Sequence, residues 1–352
     1  MLLFDLNEIE TIARFPSTRY QGSKQKYAEW IWHCIEDIPF ETALDAFGGT
    51  GCIARLLKRE GKSVTYNDIL KFNSIIGKAL IENNVEKITK KDLSFILTAH
   101  STITYPDFIE KTFSDIYFTD EENKWLDFVI TNISHIENKY KQAIALFALF
   151  QSCIIKRPYN LFHRKNLYVR TQDVERSFGN KTTWDTPFAI HYKNFIEEAN
   201  NAVFSNEKIN ISLNSNVFDL VNCYDLVYID PPYISEKGTG ADYLDFYHFL
   251  EGIVNYNNWG NLIDEESKHK RLKLTNSDWT NPQKIELAFE RLIKQFRDSI
   301  LIISYRSDGI PNIDKIIDLL EINHKSVTIH ESRMMKYILS TKNSKEILLI
   351  AQ

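Results

Sequence analysis

At 352 residues the chain has room for one large domain or two of ordinary size, and its 43% hydrophobic and 25% charged residues are those of a globular protein. A net charge of −5 excludes binding to nucleic acid through overall charge, so any such surface must be local. Four cysteines without metal-ligand spacing (Cys34, Cys52, Cys153, Cys223), no signal peptide and no apolar run long enough for a bilayer point to a reduced, cytoplasmic protein with no metal and no membrane partner.

Residues 1–18 read as an N-terminal arm. Arg19-Tyr20-Gln21-Gly22-Ser23-Lys24 follows, then helical periodicity through Ile35 with Ser23 as its cap. Thr42 to Phe47 reads as a first strand. It runs into Gly48-Gly49-Thr50-Gly51 and a helix from Cys52 to Lys58, closed by Gly61. Strand, glycine loop and helix let a ligand approach backbone N–H groups at a helix N-terminus, with Asp45 facing the same crevice. A second strand, Lys62 to Tyr66, ends in Asn67-Asp68, where nucleotide folds place an acid against ribose hydroxyls. Ribose is common to dinucleotides and S-adenosylmethionine. The glycines lack the third member of a dinucleotide fingerprint.

Residues 85–205 carry helical periodicity, clearest near Lys124 to Asn138 and Lys141 to Ile155. From Gln151 to Phe195 eight basic residues (Lys156, Arg157, Arg164, Lys165, Arg170, Arg176, Lys181, Lys193) face three acids, a local +5. Tyr159, Phe162, His163, Tyr168, Phe178 and Trp184 interleave with them. Basic side chains neutralise phosphates and planar ones stack on or wedge between bases, so this stretch is the candidate DNA surface; the alternative is a solvated face over core aromatics.

Asn210 to Asn214 reads as a third strand. Leu226 to Ile229 is a buried strand that ends in Asp230-Pro231-Pro232-Tyr233. Two prolines cannot donate to a sheet ladder, so the strand stops there, at the edge where open α/β sheets bind ligands. The Asp230 carboxylate, the Pro231 carbonyl and the Tyr233 ring make an acceptor-only site suited to a planar group with an exocyclic amine. A plain strand-terminating turn is the competing reading of these four residues alone. Ile234 to Asp242 reads as a mobile loop and Tyr243 to Phe249 as an aromatic helical stretch. Pro282 to Phe296 reads as a helix and Ser299 to Arg306 as a buried strand. Ser326 to His330 with Glu346 to Ala351 reads as a closing antiparallel pair.

Tyr-x-Gly-x-Lys, Asp-x-Phe-x-Gly-x-Gly, Asn-Asp and Asp-Pro-Pro-Tyr, in this order, resemble the motifs of the Dam-like (D12 class) adenine-N6 DNA methyltransferases. The resemblance implies a Rossmann-like, seven-stranded class I methyltransferase sheet with a largely helical target-recognition insert. It divides the chain into catalytic segments 19–84 and 206–352 and a recognition domain at 85–205. It implies S-adenosyl-L-methionine as cofactor, double-stranded DNA as substrate and a cognate restriction endonuclease as partner. Tyr20, Gly22 and Lys24 match the motif that touches cofactor and target, and Asp45 to Gly51 match the cofactor loop. Asp68 matches the ribose ligand, and Ser304-Tyr305 resembles a late motif near the target base. The family usually has an acid fourteen positions before the motif Asp; here that position is Asn216, whose amide carbonyl accepts an N–H without charge. Asp230 in place of Ser speaks against cytosine-N4 transfer, and the missing Pro-Cys dipeptide against cytosine-C5 transfer. An inactive DNA-binding subunit conflicts with the filled motif positions.

Overall fold

The computed structural model describes residues 15–172, 181–235, 238, 240–323, 326–332, 335–336 and 343–352. They gather into two compact units. One is built on a sheet and comprises the described parts of Lys24–Gly77, Asn206–Tyr243 and Thr275–Gln352. The other is helical and comprises those of Met1–Ser23, Lys78–Ser205 and Leu244–Leu274.

The sheet has seven strands: β1 (Thr42–Asp45), β2 (Ser63–Asn67), β3 (Ile211–Leu213), β4 (Leu226–Ile229), β5 (Ile300–Arg306), β6 (Val327–Glu331) and β7 (Glu346–Ala351). Their spatial order is β3-β2-β1-β4-β5-β7-β6. The first five are parallel to their neighbours, and β7 runs antiparallel to both β5 and β6. This is the class I methyltransferase architecture expected from the motifs, including the closing antiparallel pair. All four residues of β4 are buried, as suits a central strand covered on both faces. The Asp225 carboxylate ties the start of β4 to that of β1, accepting N–H bonds from Glu41 and Thr42 at 3.0 and 2.8 Å. On one face Trp279, Phe289, Leu292 and Leu320, from the helices Ile285–Gln295 and Ile313–Glu321 and the turn before them, pack over β4, β5 and β7.

Strand ends move by a residue or two from their expected positions. β1 stops at Asp45, yet the Ala46 N–H still reaches the Tyr228 carbonyl at 3.0 Å before the glycine loop turns away. A 3-10 turn at Lys24–Lys26 precedes the first helix, which starts at Ala28 with Tyr27, not Ser23, at its cap position. Of the expected loop after Tyr233, Ile234–Ser235 pairs with Gly309–Ile310; residues 236–237 and 239 lie outside the described set.

In the helical unit capping chemistry sets the helix limits that periodicity alone left loose. Thr119 and Glu122 form a reciprocal capping box that starts Asp120–Ser134, earlier than Lys124. The Asn138 side chain then caps Lys139–Ile155 through the N–H groups of Tyr140 and Lys141. Phe188–Ala202 packs along that second helix. The stretch 244–274, which follows Asp-Pro-Pro-Tyr after ten intervening residues in sequence, belongs to this unit: Phe249 sits edge-on to Phe113, Tyr117 and Trp259 and stacks on Phe162. Gly252 makes that packing possible, since a Cβ there would lie 1.9 Å from the Trp259 indole. Cys52 and Cys153 are buried, whereas Cys223 is exposed, in the turn before β4. No helix among the described residues is long and apolar enough to cross a membrane.

Candidate active site

Parallel pairing aligns three acidic residues at one edge of the sheet. Asp45, the last residue of β1, is in register with Tyr66 on β2 and Tyr228 on β4. Asp68 and Asp230 each stand two residues past those partners. Between them runs the glycine loop. The Gly48 N–H donates to the Asn67 carbonyl at 2.8 Å and the Gly49 N–H to Asp68 at 2.9 Å. Tyr66 lies under the loop, its hydroxyl donating to the Gly49 carbonyl at 2.7 Å; a Cβ on Gly48 would meet this ring at 2.0 Å. Gly49 and Gly51 have φ of 50° and 76°, where side chains are strained, and Gly51 leads into Cys52–Arg59. Thr50 is buried, and Phe47 sets its ring edge-on to Trp279. The loop is thus a bare backbone cradle walled by acids.

The acids are held unlike free carboxylates. Asp68 accepts from the N–H groups of Gly49 and Leu70 and from the Asn73 amide, but burial outweighs these bonds and pushes it up to about 6. Burial first, and the charge of Asp230 next, push Asp45 up to about 8; one of its oxygens accepts from the Ala54 N–H at 3.2 Å. Asn216 is exposed, and its amide oxygen accepts from the Phe218 N–H at 3.1 Å, capping the turn Val217–Asp219. The oxygen expected to accept a cofactor amine thus already holds one backbone N–H, with its second lone pair remaining.

Beyond β4, one lysine is shared by two acids. The Lys24 ammonium lies 2.7 and 2.8 Å from the two oxygens of Asp230 and 3.4 Å from Glu346, the first residue of β7. It also contacts the Tyr233 hydroxyl and lies 4.6 Å from the centre of that ring. The Tyr233 hydroxyl lies 2.6 Å from Asp230 and 3.0 Å from Glu346, and Ser304 donates to Glu346 at 2.6 Å. Pro231 is buried and Pro232 half-buried. Lys24 and Glu346 are buried, whereas the Asp230 side chain keeps 15% of its surface open. Asp230 and the half-buried Tyr233 are the members of this cluster that a solvent-borne group can reach. Burial raises the Asp230 carboxyl against the pull of Lys24, and Glu346 adds to the rise. Burial works against the Lys24 charge, but Asp230 and Glu346 hold it above the ordinary lysine value.

The sequence model of one family, the D12 class N6 adenine-specific DNA methyltransferases, matches residues 20–294. The chain belongs to this family. It is 31% identical over 343 residues to the Type II methyltransferase M2.HphI of Haemophilus parahaemolyticus, covering 95% of this chain and 96% of that protein. It is 25% identical to the modification methylase LlaI of Lactococcus lactis subsp. lactis and 25% to the Type II methyltransferase M.FokI of Planomicrobium okeanokoites. Each of these two alignments takes in 86% of this chain but about half of the relative, 48% and 46%.

This adenine methyltransferase carries its other expected site residues in the helical unit. Tyr20 stacks on Tyr247, ring centres 4.5 Å apart, and the Gln21 N–H donates to the Tyr247 hydroxyl at 2.7 Å. Gly22 follows with φ of 80°. The basic residues divide. Arg164, Lys165 and Lys181 are exposed, the last two beside Asp115 and Asp185. Arg157 and Arg170 are not at the surface, which corrects the expectation that they contact DNA in this state. Arg157 is 1% exposed and donates to the carbonyls of Leu161, Tyr117 and Arg164 and to the Asn166 amide. Arg170 donates to Tyr117, Trp184 and Glu122. Arg176 and Phe178 lie outside the described residues. Glu346 escaped the sequence reading. Its one signal is a carboxylate opening an otherwise apolar strand, Ile-Leu-Leu-Ile-Ala.

Proposed function

We propose that this methyltransferase transfers a methyl group from S-adenosyl-L-methionine to the N6 amine of an adenine turned out of double-stranded DNA, as the modification enzyme of a restriction system with a cognate endonuclease. The glycine cradle between Asp45 and Asp68 fits such a cofactor: a loop without bulky side chains that opens a helix, a buried acid for ribose hydroxyls, and an aromatic wall in Phe47. Asn216 keeps a second lone pair for the cofactor amine while it caps Phe218. Lys24 completes the site in the sheet unit, and the motif it closes, with Tyr20 and Gly22, is the one that the family uses toward cofactor and target. When bound, the cofactor supplies an electrophilic methyl on a sulfonium.

The protein supplies position. An adenine amine is a weak nucleophile because its lone pair is delocalised into the ring. The partly open Asp230 carboxylate and the Pro231 carbonyl accept its two N–H groups, pulling the nitrogen toward tetrahedral geometry and aiming its lone pair for in-line displacement. Orientation of this kind contributes up to about 7–11 kcal/mol in favourable models. Tyr233 offers its ring to the base and its hydroxyl to the carboxylates, offsetting part of the cost of unstacking. Arg164, Lys165 and Lys181 supply phosphate contacts at the surface.

The observation that carries this reading is the buried Lys24–Asp230–Tyr233 cluster beside the glycine cradle, in a chain of this family. The relatives named Type II methyltransferase and modification methylase support the restriction context. The test is expression in a host lacking DNA methylation, followed by mass spectrometry of genomic nucleosides. N6-methyldeoxyadenosine is expected with the wild-type chain and not with Asp230→Ala. N4-methyldeoxycytidine in its place would overturn the base assignment.

A further inference from the structure

We propose that Glu346 is a positioning residue for methyl transfer: it takes over the Tyr233 hydroxyl when the substrate amine reaches Asp230. The inference rests on the reaction proposed above. Glu346 lies outside residues 20–294, the span matched by the family model, and touches the site only through the fold. Antiparallel pairing of β7 with β5 sets Glu346 opposite Arg306, within reach of Ser304 two residues back.

The geometry is that of an alternative acceptor. A tyrosine has one hydroxyl proton and can donate to one carboxylate at a time. Tyr233 has two in reach, Asp230 at 2.6 Å and Glu346 at 3.0 Å. The Asp230 oxygen that faces Tyr233 also receives Lys24 at 2.7 Å, and the other receives Lys24 at 2.8 Å. With about four lone-pair directions on a carboxylate, three are then in use. Both directions of the oxygen that faces Tyr233 are filled, so an amine approaching that oxygen competes with donors already seated. Turning the Tyr233 hydroxyl toward Glu346 releases a direction on Asp230 and leaves no buried proton without an acceptor. Lys24 at 3.4 Å and Ser304 at 2.6 Å hold Glu346 ready to receive it. Stability alone does not account for a wholly buried second acid here, because replacing buried ion pairs by apolar groups is often neutral or stabilising.

The test is a double-mutant cycle on the full chain, reading kcat and KM for methyl transfer to duplex DNA, and S-adenosylmethionine affinity by calorimetry. Glu346→Gln keeps the shape but loses the charge that makes the acid the stronger acceptor, so the hydroxyl proton stays on Asp230. It should lower kcat at least tenfold while KM and cofactor affinity stay within about threefold. In a Tyr233→Phe background, where no hydroxyl remains to be turned, the same substitution should cost less than about threefold. Wild-type kcat in Glu346→Gln, or the full loss in both backgrounds, overturns the proposal. If the Gln variant does not fold, Glu346→Asp enters the same cycle, because the shorter side chain withdraws the acceptor; the same pattern is expected and the same outcomes overturn it. A wild-type chain that makes no N6-methyladenine removes the reaction itself and this inference with it. An active wild type with an indifferent Glu346 removes the inference alone.

Discussion

The two units bury the same kind of charge cluster with opposite signs. In the sheet unit one cation, Lys24, is shared by two acids, Asp230 and Glu346. In the helical unit one acid, Glu122, is shared by two cations, Lys156 at 2.8 Å and Arg170 at 2.7 Å. The helical cluster is tied inward. Lys156 also donates to the carbonyls of Trp184 and Thr186, and Arg170 to those of Tyr117 and Trp184, so its donors tie loops to helices. The sheet cluster is open. Asp230 stays partly exposed, its acceptors outnumber the lysine, and the next acid along, Asp45, is pushed up by burial first and by the Asp230 charge next. A buried charge whose partners are all satisfied acts as a fastener. One with an acceptor left facing outward is available for chemistry.

The comparison predicts different failures in the two units. The largest effect belongs to Asp230→Ala. Methyl transfer should fall by about three orders of magnitude or more, with S-adenosylmethionine affinity and melting temperature little changed. Stopped turnover together with lost folding would make Asp230 a fastener too and erase the contrast.

Arg157→Ala should show the reverse. It strands several buried carbonyls and the Asn166 amide, so stability should drop by about 3–5 kcal/mol in a denaturant titration. The salt dependence of DNA binding by the folded fraction should be unchanged. A shallower salt slope would return Arg157 to the phosphate surface.

A pH effect comes next. Asp45 is raised from 3.8 to about 8, so the folded chain keeps a proton that the unfolded chain releases. The stability this contributes is complete below about pH 3.8 and is lost as pH rises toward 8. Asp45→Asn should remove that decline, gaining on the wild type by up to about 4 kcal/mol between pH 5 and 8, at about 1.4 kcal/mol per pH unit. Parallel stability–pH curves for the two proteins would mean that Asp45 ionises normally.

The smallest effects are expected at Arg164, Lys165 and Lys181. Each alanine variant should weaken DNA binding evenly across sequences and lower the salt slope by about one, without loss of stability. This is the helical unit's exposed charge set against its buried one.

How far the sequence could be read follows the same divide. The strands announced themselves as short apolar runs bounded by turn residues. Asp-Pro-Pro-Tyr had to end β4 because proline cannot extend a ladder. Cap residues such as Thr119 and Asn138 were visible but were passed over, which is why two helix starts shifted. The charge of the 151–195 stretch was real, yet composition cannot separate Arg157 and Arg170, which point inward, from Arg164 and Lys165, which do not. That choice depends on where carbonyls and Glu122 wait in the fold. Asn216 also caps its own turn through the Phe218 N–H, a second use that its place in the motif order does not reveal.

By itself, then, the sequence determined what local chemistry dictates: the glycine turn, the strand ends carrying Asp45, Asp68 and Asp230, and the motif order of an adenine methyltransferase. Tertiary structure alone decided what long-range register dictates. It brought Glu346 from the last strand to Lys24 near the start of the chain, and it packed 244–274 with the helical unit. Spacing along a chain constrains neighbours a few residues apart. Contacts between distant segments come from strand pairing and core packing, which no single stretch encodes.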